Sequence, residues 1–208
     1  MIARKKWSQV FINSDWVFKK LLISGGREIA FLKVVCEVGA GAGALSKFFL
    51  CCSVLKLVLI EIDARFISVC LRFLRVCPGK LDLIFRDAVR VKYLLFVFGA
   101  RLDLFVSSLP YNVAARLLML LSQAECVMLI VFQREMYYRI LSNYSKLSLG
   151  FMHCNVRKLF DVPFFRFLPK PSVNSVCVLI APACWSRSGV VCKLIGVLRR
   201  LGSVYVEG

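Results

Sequence analysis

The run Val34 to Leu45, VVCEVGAGAGAL, constrains this chain more than any other stretch. A β-branched apolar segment ends in Glu37 and passes at once into Gly39, Gly41 and Gly43, followed by residues that can open a helix. Strand, glycine-rich turn and helix N-terminus in that order let backbone approach a ligand where a Cβ would collide, with the first N–H groups of the helix pointing at it. An acidic residue ending the next strand, about 20 residues on, normally holds the ribose hydroxyls of such a nucleotide-like ligand. Glu61, in LVLIEID, stands there.

The surrounding pattern supplies the sheet that such a turn needs. Strand Val34–Val38 leads to a helix over Ala44–Cys52, strand Leu57–Glu61 to a helix over Ala64–Leu74, and strand Leu81–Phe85 follows the turn at Pro78-Gly79. Continuous apolar strands separated by helices predict a parallel sheet covered on both faces, with ligands at its carboxyl edge. Asp87, just past the third of these strands, falls on that edge. Upstream, the spacing predicts a helix over Asp15–Ile23 with Ser14 as its N-cap, ended by Ser24-Gly25-Gly26. Downstream come a strand over Leu102–Val106, a helix from Ala114 to Leu121, a strand over Val127–Phe132 and a helix from Gln133-Arg134 to Leu141. Residues 142–150 read as a loop. Val156–Val162 and Val173–Ile180 read as an antiparallel pair flanking Phe167-Leu168-Pro169-Lys170-Pro171, and Lys193–Leu201 as a short helix. The division is one α/β domain over 1–182 and a tail over 183–208.

Glycine turns serve dinucleotides and S-adenosylmethionine alike. Ser108-Leu109-Pro110-Tyr111 favours the second. A small polar side chain, a proline carbonyl and an aromatic face at neighbouring positions suit a planar base with an exocyclic amine. The two oxygens accept the amine protons and the ring stacks on the base, for which a nicotinamide enzyme has no use. Glu61 and Asp87 recur at successive strand ends and are the candidate ligand carboxylates. Glu37 is expected to orient the glycine loop, and Asp63 and Asp82 to be ordinary surface carboxylates.

Composition bears on partners and compartment. Hydrophobic residues make up 59% of the 208, and mean hydropathy is +0.73. Yet the longest charge-free apolar runs, 48–55, 93–100 and 176–185, fall well short of the roughly 20 residues a spanning helix requires. The basic start MIARKKWSQ lacks the apolar core of a secretory signal, so a cytoplasmic protein with no membrane association is expected. None of the ten cysteines forms a CxxC pair and the single histidine, His153, has only Cys154 beside it, so no metal site is expected. Lys and Arg outnumber Asp and Glu 29 to 12, for a net charge of +17. That excess points to a polyanionic partner, and an adenine-shaped amine site makes nucleic acid the natural one.

With these pieces in order, the chain resembles the ribosomal RNA adenine N6,N6-dimethyltransferases that act on small-subunit rRNA. ARKKWSQVFIN is similar to the family's N-terminal box, CEVGAGAGAL to its cofactor loop, and IEID, RDAV and SLPYN to its ribose, adenine and catalytic boxes. FQREMYYRI, YSKLS and FLPKPSVNS resemble three further family segments. The resemblance implies a class I S-adenosylmethionine-dependent methyltransferase, with a Rossmann-like seven-stranded sheet whose last hairpin is antiparallel. It implies cofactor contacts at Gln9, Val10 and Ile12, at Glu37, Gly39 and Gly41, at Glu61 and Ile62, at Asp87 and Ala88, and at Ser108. Ser108, Pro110 and Tyr111 would hold the target adenine, with Phe167 on its other face. Arg4, Lys5, Lys6, Arg134 and Lys170 are the candidate RNA contacts.

Three departures from the family pattern stand out. Ser108 and Val10 each occupy a position where the family usually has Asn, and the family's helical C-terminal domain is expected to be reduced to the tail. The implied activity is transfer of methyl groups to two adjacent adenosines near the 3′ end of small-subunit rRNA, by a monomer acting on the immature subunit. The alternatives are a non-catalytic rRNA-binding assembly factor on the same fold, a large-subunit rRNA methyltransferase of the macrolide-resistance type and, more remotely, an NAD-dependent oxidoreductase.

Overall fold

The computed structural model describes residues 9–26, 33–52, 54–90, 102–108, 111–122, 126–142 and 144–183. Seven strands form one sheet: β2 (Val34–Val38), β3 (Lys56–Glu61), β4 (Leu81–Phe85), β5 (Leu104–Ser108), β6 (Val127–Gln133), β7 (Cys154–Val162) and β9 (Ser175–Pro182). Their order is β4-β3-β2-β5-β6-β9-β7. β2 to β6 are mutually parallel, and β9 lies antiparallel between β6 and β7. The short strands β1 (Phe11–Ile12) and β8 (Phe167–Leu168) pair antiparallel with each other.

Strand alternation divides the core in two. Val35, Leu57, Leu59, Leu104, Val106 and Leu129 face one side. They pack there against α1 (Ser14–Leu21), α2 (Ser46–Leu50) and α3 (Ile67–Val76). Their sequence neighbours Cys36, Val58, Ile60, Phe105, Met128 and Ile130 face the other side, against α4 (Tyr111–Leu121), α5 (Arg134–Leu141) and α6 (Lys146–Gly150). Burial on both faces is why these strands read as continuous apolar runs. Phe48 and Phe49 are fully buried, and Phe18 meets Phe48 edge to face. Burying each such ring contributes about 1.5–3 kcal/mol.

The elements differ from the expected ones mainly at their ends. Asn13, not Ser14, caps α1: its Oδ1 accepts from the Trp16 N–H at 2.9 Å. The helix gives way at Leu22 to a wider π-type turn that runs through Gly26. β5 begins at Leu104, two residues later than expected; just before it the Asp103 carboxylate accepts the Lys33 and Val34 N–H groups, both at 2.8 Å, which anchors the start of β2. The strand then continues through Ser107, whose hydroxyl donates to the Val38 carbonyl at 2.7 Å. Residues 146–150, expected as loop, form α6. A capping box between Ser145 and Ser148 and the buried Leu147 stabilise this short turn of helix. Four of the cysteines, Cys36, Cys70, Cys126 and Cys177, are buried free thiols, and burial pushes the Cys36 thiol up to about 12. No helix among the described residues is long and apolar enough to cross a membrane. Of the tail expected at 183–208, only Ala183 lies within the described residues.

Candidate active site

The carboxyl ends of the parallel strands surround a cavity of about 260 Å³. At its floor the chain leaves β2 and turns through Gly39, Gly41 and Gly43, all with positive φ (76°, 50° and 79°). The Gly39 N–H is tied down by the Ile60 carbonyl at 2.8 Å. A Cβ built on Gly39 would meet nothing within 4 Å. The space above it belongs to the cavity rather than to protein atoms, as a cradle for a bound ligand requires.

Glu61 ends β3 and is 4% exposed. One of its oxygens accepts the Gly41 N–H at 2.8 Å; the other accepts the Ile62 and Asp63 N–H groups, each at 2.8 Å. Burial raises its pKa and the three N–H donors oppose that rise. A carboxylate has about four acceptor sites, so Glu61 can shape the glycine loop and still receive hydroxyl donors from the cavity side. Glu37 is buried beneath the same loop and accepts the Ser46 hydroxyl at 2.5 Å. Burial pushes its carboxyl up to about 8, with the neighbouring Glu61 adding to the rise.

Asp63 is no surface carboxylate. It is fully buried, takes the Arg65 guanidinium at 2.5 Å and the Gln9 amide at 2.8 Å, and is held well below the usual carboxylate range by Arg65. Arg65 also donates to the Gln9 carbonyl oxygen at 3.0 Å. Gln9, Asp63 and Arg65 thus fasten the N-terminal segment across the β3 edge, while pairing of β1 with β8 holds its next residues. Asp82, by contrast, is an exposed carboxylate paired with Lys56. Asp87 follows β4 and accepts the Val89 N–H at 3.0 Å, capping the 3-10 turn Ala88–Arg90. Ser108, the last residue of β5, opens on the cavity.

A profile of ribosomal RNA adenine dimethylases matches residues 2–184, most of the chain. The chain belongs to the ribosomal RNA adenine dimethylase family. This member is 36% identical over 190 residues to ribosomal RNA small subunit methyltransferase A of Legionella pneumophila (strain Corby), covering 86% of the chain and 71% of the relative. It is 30% identical over 193 residues to the protein of the same name from Blochmanniella pennsylvanica (strain BPEN), covering 87% and 70%. Among solved structures, a dimethyladenosine transferase from Plasmodium falciparum matches at a TM-score of 0.68 and 28% identity, over 83% of this chain and 63% of that one. The 23S rRNA methyltransferase ErmE matches at a TM-score of 0.59 and 18% identity, which speaks to the fold alone. The class I methyltransferase sheet with its antiparallel last hairpin is therefore both observed and shared.

In this adenine dimethylase family member the cavity gathers all the positions expected to hold the cofactor. Gln9, Val10 and Ile12 come from the N-terminal segment, and Glu37, Gly39 and Gly41 from the loop after β2. Glu61 ends β3 and Ile62 follows it, Asp87 and Ala88 come from the turn after β4, and Ser108 from β5. Tyr111 is the first residue of α4, and Pro110 lies outside the described residues, as do Arg4, Lys5 and Lys6. Phe167 is 3% exposed and packed in the core as β8 pairs with β1, so it does not line the cavity. Arg134 opens α5 and is bound to Asp161 at 3.2 Å, and Lys170 is exposed just past β8. His153 is exposed in the turn after α6. Phe11 and Phe66 were not singled out from sequence, yet both line the cavity, ring edge to face with centroids 5.5 Å apart. Their signal was hidden because each sits in a stretch where an apolar residue reads as ordinary core.

Proposed function

We propose that the chain is an S-adenosylmethionine-dependent methyltransferase that dimethylates adenosine N6 in small-subunit rRNA, acting on the immature subunit in the cytoplasm as a monomer. The observation that carries this is the single cavity wall formed by the glycine loop, Glu61, Asp87 and Ser108. Nucleoside-binding groups and an amine-accepting oxygen share one space there. The residues fit the cofactor. Gly39 offers an open cradle, Glu61 an acceptor for ribose hydroxyls, Asp87 an acceptor for the adenine amine, and Phe11 with Phe66 an apolar wall for a flat ring. S-adenosylmethionine, when bound, supplies a methyl group on a sulfonium centre.

The chain's own part is positioning. An exocyclic adenine amine is a poor nucleophile because its lone pair is delocalised into the ring. The Ser108 hydroxyl oxygen and the Pro110 carbonyl would accept the two N6 protons, favour a tetrahedral nitrogen and direct the lone pair into the cavity. No strong base is needed, since the proton leaves after attack, and alignment of this kind supplies most of the rate. The target base must leave its stack, and stacking on Tyr111 offsets part of that cost. Ser108 has one hydroxyl where an amide would offer a longer reach, yet it still provides the acceptor. The test is methyl transfer to unmodified small ribosomal subunits by Tyr111→Ala and Ser108→Ala. Tyr111→Ala should retain cofactor binding, and both variants should lose turnover by about 100-fold or more through loss of positioning. Unchanged turnover in both would remove the assignment of this edge as the target-base site.

A further inference from the structure

A second aromatic feature stands on the same edge of the sheet, outside the cavity. β7 and β6 are each antiparallel to β9, so they run parallel to one another, and Val162 and Gln133 both pair with Ser175. The segment leaving β7 therefore emerges on the same edge of the sheet as Ser108 of β5. It forms the 3-10 turn Phe164–Arg166, which leads directly into β8. The backbone of this turn is tied on every side. The Phe164 N–H donates to Asn174 Oδ1 at 2.9 Å and the Arg166 N–H to the Pro163 carbonyl at 2.9 Å. The Arg166 carbonyl accepts from the Asn13 N–H at 2.8 Å, and Asn13 directly follows the cavity residue Ile12.

On this pinned turn two large apolar rings remain in water, Phe164 at 43% and Phe165 at 54% exposure. They stand nearly perpendicular, with centroids 5.8 Å apart and an angle of 81° between planes, so they form a corner. The Arg166 guanidinium lies 5.3 Å from the Phe165 ring centre and 5.3 Å from that of Trp16, which fixes its place. Among the described residues, the two buried side-chain nitrogens without a hydrogen-bond partner are Arg166 Nε and Arg134 Nε, and both belong to this edge. Lys158 shares Asp161 with Arg134, and Lys170 is exposed two residues past the end of β8. Exposed aromatic faces beside cations match the stacked bases and phosphates of an unpaired nucleic acid strand.

We infer that the Phe164–Phe165 corner is a stacking platform for an unpaired nucleobase flanking the target adenosine, with Arg166 and Arg134 on the adjoining phosphates. This rests on the rRNA reading proposed above and adds a substrate-positioning surface beyond the pocket for the modified base. The double variant Phe164→Ala/Phe165→Ala should raise the KM for small ribosomal subunits by roughly 5- to 150-fold, the range for loss of one base–aromatic stack. S-adenosylmethionine affinity and melting temperature should stay at wild-type values. Phe164→Tyr/Phe165→Tyr should restore the KM, whereas Phe164→Leu/Phe165→Leu, apolar but without a π face, should not. Ultraviolet crosslinking to the wild-type complex should map to Phe164 or Phe165. Saturable wild-type binding with an unchanged KM in the alanine variant would overturn the inference. So would a loss on intact subunits with undiminished binding of protein-free RNA, which would give the corner to a ribosomal protein. A wild-type protein that binds no subunit would instead count against the rRNA reading itself.

Discussion

Two glycines of the loop after β2 share a backbone conformation and should respond in opposite ways to the same substitution. Gly39 and Gly43 have φ of 76° and 79°, so alanine at either meets the left-handed penalty of about 1–2 kcal/mol. Loss of unfolded-state freedom offsets about 0.4–1 kcal/mol of that. Their surroundings then separate them. A Cβ on Gly39 meets nothing within 4 Å, whereas one on Gly43 would stand 2.3 Å from Phe73 Cζ and 2.5 Å from Cε2. The Phe73 ring, packed against the core from α3, must be displaced, which adds about 1–3 kcal/mol. For a chain of this size each kcal/mol moves Tm by about 2–4 °C, so Gly43→Ala should melt about 2–12 °C below Gly39→Ala. Cofactor affinity should follow the reverse order, because Gly39 lines the cavity and Gly43 does not. Thermal melts followed by circular dichroism, with titration calorimetry of S-adenosylmethionine on the folded variants, read both quantities. Wild-type cofactor affinity in Gly39→Ala, or equal melting of the two variants, would refute the division of the loop into a ligand-facing and a packing glycine.

Three further outcomes follow from the site's electrostatics. Glu61→Gln turns an NH2 group on either the Gly41 N–H or the Ile62 and Asp63 N–H groups, so at least one buried donor loses its acceptor; urea unfolding should show a loss of about 1–3 kcal/mol, and cofactor binding should weaken as well. Glu37, raised from 4.5 to about 8 in the fold, keeps a proton that the unfolded chain releases. Its contribution to stability is full below about pH 4.5 and declines as pH rises towards 8, by up to about 1.4 kcal/mol per pH unit. Glu37→Gln should remove that slope in unfolding curves taken across the window, and an unchanged slope would contradict the assignment. Asp63 has the opposite sign: its depressed pKa stabilises the fold above the ordinary carboxylate range and the contribution disappears on acidification below about pH 4. Gln9→Ala, which removes its bonds to Asp63 and Arg65, should speed cofactor release in stopped-flow measurements and move the acid limb of stability slightly upward, since the Gln9 amide helps hold the Asp63 carboxyl down.

Much of the sheet was legible because its strands are short, apolar and separated by clear turns. β4 at Leu81–Phe85 and β2 at Val34–Val38 fall where the pattern puts them. The errors cluster where a polar side chain works on distant backbone. Asp103 engages residues 33 and 34, seventy positions upstream, just before β5 begins; no local signal announces that bond. Asn13 displaced Ser14 as the cap because either side chain can do the task and only the chain's entry angle decides. The stretch 142–150 is rich in Ser and Asn, which suggests a loop, yet Ser145 and Ser148 form a capping box there, and Leu147 buries against α4 and α5. At the candidate site, the residues that line the cavity were readable because a nucleotide pocket demands glycine, carboxylate or a small hydroxyl at strand ends. Asp63 was misjudged because a charge near the surface in sequence looks solvated, and only the tertiary approach of Gln9 and the turn of Arg65 show its burial. Phe11 and Phe66 were invisible for the converse reason, since an aromatic wall of a cavity and an aromatic in a core leave the same trace.

If this cavity and the Ser108 edge together methylate adenosine in small-subunit rRNA, the product can be read from unmodified small subunits incubated with the full chain and methyl-labelled S-adenosylmethionine, followed by mass-spectrometric analysis of the nucleosides. N6,N6-dimethyladenosine carrying the label is the expected product. Saturable binding of cofactor and subunit with no labelled adenosine would contradict it and leave a binding protein on a methyltransferase fold.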